Sequence, residues 1–342
     1  MRSKRAPKKV LFVLSVDTEE EFDWSGDFPQ DNCSVENIEC LPAFQSFCEP
    51  LGIRPTYLVD YPVAANAHSA AIVKAIARAG SVEIGAHLHP WCTPPIVGPN
   101  TERESHVVNL PPELVRQKLD ALTEVIRRNI GVTPTVFRTG RWGINSDILR
   151  IIMQAGFTID SSVYPYYANE YFSCMESCDR PYWPSLDNPD VPGEQRDIFE
   201  LPVTAGFNHP DFPFWGRIHR TLSSPMLKPL RPVGLAWRTH ALRKIYLSPE
   251  LATADDMKSL VAAALAANQP VMHMFLHSST LLPGRNEYTS DHSDRDDLYG
   301  SIRAVIAYLT ANTDVTFCTL SEAVAQLKAG FADYLPPANG VR

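Results

Sequence analysis

Four short clusters of side chains that could do chemistry each follow an apolar run in this chain. Val10–Val16 leads into Asp17-Thr18-Glu19-Glu20-Glu21, and Ser81–Ala86 into His87-Leu88-His89-Pro90-Trp91. Pro134–Phe137 leads into Arg138-Thr139-Gly140-Arg141-Trp142-Gly143, and Pro270–Leu276 into His277-Ser278-Ser279. In extended backbone alternate side chains share a face, so Asp17 and Glu19 offer two oxygen donors that could share a metal or divide base and ligand roles. His87 and His89 stand in the same relation, a common way to present two imidazoles to zinc or a related divalent ion. Arg138, close to glycines, can grip a carboxylate bidentately or bind an anion. Taken singly, each cluster has a plainer explanation. Acidic runs are usually solvated loops, and Glu20, Glu21 and Asp23 read as a solvated or substrate-facing loop; two nearby histidines can be satisfied separately, and arginines after strands mostly sit on the surface. His273, on the same strand face as His277 but deeper, reads as a packed core histidine. His106, His209, His219, His240 and His292 have no comparable context and read as structural or exposed. Together, the four clusters hold the parts for metal-assisted hydrolysis: an ion to polarise a carbonyl and activate water, a carboxylate to take the proton, an imidazole to protonate the leaving group.

Such a site needs strands that end beside one another, with helices to space them. Ser34–Leu51 has apolar residues at helical spacing and ends at Gly52, Pro55–Val59 reads as a strand, and Ala64–Ala79 as a helix stopped by Gly80. The alternation continues with a helix at Pro111–Arg128, a helix at Asn145–Ala155, a strand at Phe157–Asp160 and a helix at Ala252–Ala267. A helix at Leu298–Thr310, a strand at Val315–Cys318 and a helix at Ser321–Lys328 complete it. Seven or eight strands with helices between them predict a distorted (β/α) barrel of about seven strands, an α/β fold whose sites lie at the carboxyl ends of its strands. The stretch 162–242 breaks the rhythm. Only Ile198–Val203 reads as a strand there, and the prolines with Trp183, Trp215 and Trp237 resemble an inserted loop region over the barrel mouth. The expected organisation is a basic arm at 1–9, a single barrel at 10–330 carrying that insertion, and a tail at 331–342. No glycine-rich phosphate loop follows the first strand, so nucleotide binding lacks support.

Composition narrows the partners. A length of 342 residues suits one barrel with insertions, and a net charge of −8 argues against a general nucleic-acid or anionic-membrane surface. Seven cysteines form no paired framework, which fits a reducing compartment. Cys174 and Cys178 are the one close pair, without a second pair at zinc-finger spacing. No run reaches the roughly 18 apolar residues of a membrane span, and the first apolar run lacks the features of a signal peptide. The expected location is cytoplasmic.

The order of motifs, SVDTEEEFDW, EIGAHLHPW, FRTGRWG, ELPV and FLHSS, resembles the polysaccharide deacetylase family, the NodB-homology or carbohydrate esterase family 4 group, from about Val10 to Leu327. The spacing is similar to that of a divergent, WalW-like branch associated with surface-polysaccharide gene clusters. The resemblance implies a distorted (β/α) barrel that removes acetyl groups from N- or O-acetylated sugars with zinc or another divalent ion. It implies Asp17 as catalytic base, Arg138 as the residue that positions it, His277 as general acid and His87 as a metal ligand. Two departures stand out. The family's adjacent aspartates are replaced by Asp17-Thr18-Glu19, which makes Glu19 the acidic ligand. Its histidines four apart become His87 and His89, with Trp91 at the four-apart position, so His89 can serve as the second ligand only on a different loop path. Trp91, Arg141, Trp142 and the tryptophans of the insertion are the candidates for contact with the sugar.

The expected activity is therefore metal-dependent deacetylation of an N-acetylated sugar or surface-glycan intermediate. Three rivals use the same residues differently: a metal-independent C–N amide hydrolase of the same fold, a glycoside hydrolase built on Asp17 and Glu200, and a non-catalytic glycan-binding protein.

Overall fold

The computed structural model describes residues 9–22, 28, 30–31, 33–98, 101–330 and 336. The arm at 1–8, Asp23 and Trp24, and all of the tail except Pro336 lie outside the described residues. Ten strands follow in chain order: β1 Lys9–Thr18, β2 Thr56–Val59, β3 Glu83–Leu88, β4 Val136–Thr139, β5 Ile159–Asp160, β6 Phe199–Glu200, β7 Ala205–Phe207, β8 Lys244–Tyr246, β9 Val271–His277 and β10 Asp314–Phe317. Seven of them form a curved parallel wall in the order β9-β1-β2-β3-β4-β5-β6, and β10 flanks the first residues of β1. β7 and β8 form a separate antiparallel pair. Among the described residues no ladder joins β6 to β9. That gap is bridged by single hydrogen bonds: Thr204 N–H donates to the His273 carbonyl (3.0 Å), Leu247 N–H to that of Thr204 (2.9 Å), and Phe275 N–H to that of Leu247 (3.2 Å). The expected distorted (β/α) barrel is the observed fold.

Strand alternation divides β1 between two cores. Val10, Phe12, Leu14 and Val16 face outward into the cluster formed with the surrounding helices. Leu11 and Val13 face inward and meet Leu58, Val136, Ile159, Phe199 and Val271. Both faces are covered, which is why the strand reads as an unbroken apolar run. The helix Leu320–Gly330 closes the bottom of the interior with Leu320, Ala323, Val324 and Leu327. A side chain at Gly85 would not fit in this wall, since a Cβ there would lie 2.5 Å from the Leu58 side chain and 2.9 Å from the Val136 carbonyl.

The helix expected over Leu298–Thr310 starts earlier, at His292, and runs to Asn312, and two further regions depart from the sequence expectation. The helix expected over Ala64–Ala79 is two helices, Tyr61–Ala65 and Ala67–Arg78, because Asn66 turns extended and its side chain caps the second through His68 N and Ser69 N. The insertion is more regular than expected. It holds β7, which pairs with β8 just past its end, and the helices Phe212–Leu222 and Pro232–Arg238, while Ile198–Val203 is strand only at Phe199–Glu200. Both helices start with proline in the first turn, where its missing N–H costs nothing, so Pro213 and Pro232 mark helix entry.

Leu327 is fully buried in the bottom cluster. Leu327→Ala is expected to destabilise the fold by about 2–5 kcal/mol, read as a lower denaturant midpoint with an unchanged slope.

Candidate active site

Register brings the four clusters together. Asp17 lies opposite His277 in the β1–β9 ladder, and His87 opposite Arg138 in the β3–β4 ladder. All of them stand at the carboxyl ends of parallel strands, above the apolar floor of the barrel.

Arg138 is fully buried. Its NH1 donates to Asp17 Oδ1 at 2.5 Å, its Nε to the Ser161 carbonyl at 2.8 Å, and its NH2 to Ser161 Oγ at 2.9 Å. Burial would raise the Asp17 pKa, but Arg138, His87 and His277 outweigh it and hold the carboxyl below the ordinary aspartate value. His273 lies beneath, bonded to the Pro202 carbonyl and Ser15 Oγ, as a packed core histidine.

His277 places Nε2 3.8 Å from Asp17 Oδ2. Its Nδ1 lies 2.9 Å from Glu250 Oε2, and its backbone N–H donates to Glu250 Oε1 at 2.7 Å. Burial opposes the imidazolium, yet Glu250 and Asp17 raise the His277 pKa above that of a free histidine. Glu250 was not legible as a site residue. It follows Ser248-Pro249 in an irregular stretch 27 residues before His277, with no periodic signal to place it.

Glu19, His87 and His89 converge on one point. His87 Nε2 and His89 Nε2 lie 3.3 and 3.2 Å from Glu19 Oε2. Both Glu19 oxygens, His87 Nδ1 and His89 Nε2 are buried without a hydrogen-bond partner among the described residues. Burial and the carboxylates of Asp17, Glu20, Asp60 and Glu250 push the Glu19 pKa well above the glutamate range. Burial lowers the His87 pKa well below its ordinary value and takes His89 down to about 4, which leaves both imidazoles neutral and able to ligate. A divalent cation fits this set. It would compensate a buried carboxylate that has no donor, and two ligands on one tetrahedral zinc lie roughly 3.3 Å apart.

Glu20 corrects an expectation. The sequence placed Glu20 and Glu21 in a solvated or substrate-facing loop, but Glu20 is fully buried. Its carboxylate lies 2.9 Å from His89 Nδ1 and accepts from Trp91 Nε1 at 2.6 Å and Cys92 Sγ at 3.4 Å, while Asp60 Oδ2 accepts its backbone N–H at 2.8 Å. Burial, then the neighbouring Glu20, pushes the Asp60 pKa well up. Glu20, Asp60, His89 and Cys92 are themselves close enough to surround a cation, but their atoms already bond one another. Glu20 orients His89 from behind, and Asp60, Trp91 and Cys92 hold Glu20 in place. Glu21 is partly buried and bonds Ser34 and Asn37.

Trp91 is also corrected. It is fully buried, with its ring stacked on His89 at 4.2 Å, so it braces a ligand and presents no face to a sugar. Trp142 and Arg141 do line a cleft of about 260 Å³ beside His277, with His106, Tyr164 and Tyr288. Trp142 stacks on Tyr164 at 4.5 Å and lies under the Arg138 guanidinium at 4.6 Å, and Arg141 donates to Ser105 Oγ at 2.7 Å. Arg141 and Trp142 both have left-handed backbone, φ 60° and 64°. Such strain is retained where the surroundings fix it, as in binding and catalytic loops. His106, set aside by the sequence, belongs to this cleft. Trp183, Trp215 and Trp237 do not line it. Glu200 is buried against Asp160, with its carboxylate on Val163 N–H, so it does not join Asp17 as the second acid of a glycosidase.

The sequence matches no family model and no curated protein. Solved structures share the fold. A Mycobacterium smegmatis protein assigned as a polysaccharide deacetylase is similar with a TM-score of 0.57 at 18% identity, over 100% of this chain and 96% of that one. A Parabacteroides distasonis protein assigned as a glycoside hydrolase/deacetylase gives 0.57 at 13% identity, over 94% and 72%. Puue allantoinase gives 0.51 at 15% identity, over 95% and 91%. These likenesses establish the (β/α) barrel architecture.

Glu20→Gln keeps the shape of the side chain but removes the charge behind His89. It is expected to weaken divalent-ion binding by about 10–100-fold, measured by competition with a chromophoric chelator. Gly140→Ala should act in the same direction, since a Cβ there would lie 2.4 Å from His89 Cδ2.

Proposed function

We propose that this chain is a metal-dependent hydrolase that removes the acetyl group from an N-acetylated sugar or surface-glycan intermediate. The observation that carries this reading is the set of three buried, convergent ligand groups, Glu19, His87 and His89, directly beside a separate carboxylate–imidazole pair. Glu19, His87 and His89 would hold the ion, with zinc the best match to two imidazoles and one carboxylate. A divalent ion bound there supplies positive charge that polarises an amide carbonyl and lowers the pKa of water.

The remaining steps belong to the chain. Asp17, kept ionised by Arg138, takes a proton from the attacking water, and Arg138 fixes the carboxylate so that Oδ2 stays on the His277 side. His277 holds Nδ1–H on Glu250, which leaves Nε2–H for the departing amine nitrogen. Arg141 and Trp142, with His106 and the tyrosines of the cleft, contact the sugar. The shared fold with proteins assigned as polysaccharide deacetylases supports the reading, and the allantoinase likeness is consistent with amide chemistry.

An acetate-release screen across N-acetyl sugars, sugar nucleotides and oligosaccharides tests this directly. With the best substrate, Asp17→Asn is expected to lower kcat by about 10²–10⁴-fold, and chelation to abolish turnover until a divalent ion is restored. Full activity after chelation, still dependent on Asp17, would establish the metal-independent amide hydrolase instead. Saturable glycan binding without acetate release would establish the binding protein.

The pH profile provides a further check. Because Glu250 and Asp17 raise the His277 pKa, the protonated acid persists above pH 6.5, the ordinary histidine value, before activity falls. Glu250→Gln removes one of those charges. It is expected to lower kcat and to move the alkaline limb of kcat/KM to lower pH; an unmoved limb would assign it to another group.

A further inference from the structure

The insertion carries a surface that the cleft chemistry does not use. Between Asp211 and Glu250 the chain has seven lysines and arginines and no acid, although its net charge is −8. The same stretch supplies five of the eight large apolar side chains exposed among the described residues: Phe214, Met226, Leu230, Leu235 and Trp237. They sit on the helices Phe212–Leu222 and Pro232–Arg238 and on the segment that joins them, and the second helix has no buried residue. Arg220 and Arg243 are paired with Glu176 and Asp256, but Arg231 and Arg238 are exposed and make no ion pair among the described residues.

Single exposed leucines need no explanation; a cluster of them beside unneutralised cations does. Leu230 and Leu235 are 75% and 64% exposed, with Arg231 between them and Arg238 one helical turn beyond Leu235. This pairing matches the boundary of a lipid bilayer, where acyl chains take up apolar side chains and headgroup phosphates attract lysine and arginine. A nucleic acid would use the cations but leave the leucines and Met226 in water. The overall negative charge, which argued against an anionic partner, conceals a basic segment within an otherwise acidic chain.

We propose that the segment Phe214–Arg238 docks the protein peripherally on an anionic lipid surface, a property independent of the hydrolase reading. The test is flotation of the full-length protein with phosphatidylcholine vesicles, with and without phosphatidylglycerol. The protein is expected to float only with the anionic vesicles and to be released by salt. The double variant Leu230→Glu/Leu235→Glu should remain in solution. Arg231→Gln/Arg238→Gln should bind roughly thirtyfold more weakly. Circular dichroism checks that both variants keep the parent fold. Failure of the parent protein to float, or flotation unaffected by either variant, would overturn the proposal. So would a dimer in sedimentation velocity that Leu230→Glu/Leu235→Glu dissolves in the absence of vesicle binding, which would assign the face to a second copy of the chain.

Discussion

The buried ion pair between Asp17 and Arg138 is the interaction on which the rest of the site depends. An arginine removed from water costs several kcal/mol unless its charge is opposed and its donors are used. Here NH1 meets Asp17, while Nε and NH2 meet Ser161. Asp17 comes from β1, Arg138 from β4 and Ser161 from just after β5, so the pair ties together elements that are not neighbours in the wall. It also keeps Asp17 ionised, and this negative charge helps to push up the Glu19 pKa. Asp17, Glu19, Glu20, Asp60 and Glu250 are buried at one end of the barrel, where Arg138 is the one fully buried guanidinium among the described residues and pairs with Asp17. The Glu19 carboxylate has no hydrogen-bond donor among the described residues and lies among the others, which is why a cation at Glu19, His87 and His89 is the compensation that the cluster calls for.

The barrel sets the chemistry through a gradient along its interior. Leu11 and Val13 lie low on the inner face of β1, Ser15 comes next, and Asp17 is at the top. β9 repeats the sequence with Val271, His273, Phe275 and His277. Apolar residues below exclude water and fix the strands, so polar residues above are held by register as well as by their own bonds. A slip of one residue in β9 would turn His277 away from Asp17 and bring an apolar neighbour into the interior. Stability and site geometry therefore come from the same alternation.

That alternation is what the sequence made legible. Apolar runs ending in Asp17, His87, Arg138 and His277 located the strand ends, and parallel packing of such strands brings their ends together. What escaped notice has physical causes. Glu20 looked solvated because acidic runs usually are; its burial depends on Trp91, Cys92 and His89, which come from a loop 70 residues away. Trp91 looked like a sugar platform because an aromatic near a polar cluster often is one, but with the histidines two apart its ring is needed against His89. Glu250 had no periodic context, since the residues that place it follow a strand of only three residues.

The position of Glu250 ties the insertion's C-terminal flank to the site. Among the described residues no strand ladder closes the wall between β6 and β9, and the bridge is made by Thr204, within the inserted region, and Leu247, just past its end. Leu247 accepts from Phe275 two residues before His277, and Glu250 follows three residues after Leu247, so the bond that closes the barrel also sets the reach of Glu250 to His277 Nδ1. The backbone N–H of His277 and the Thr280 hydroxyl hold the other Glu250 oxygen. With Nδ1 fixed in this way, Nε2 is the nitrogen left toward Asp17. The short segment that follows the insertion thus completes the barrel together with Thr204 and orients the acid, while the insertion's helices, which contribute nothing to the cleft, are free to present an apolar and basic face outward.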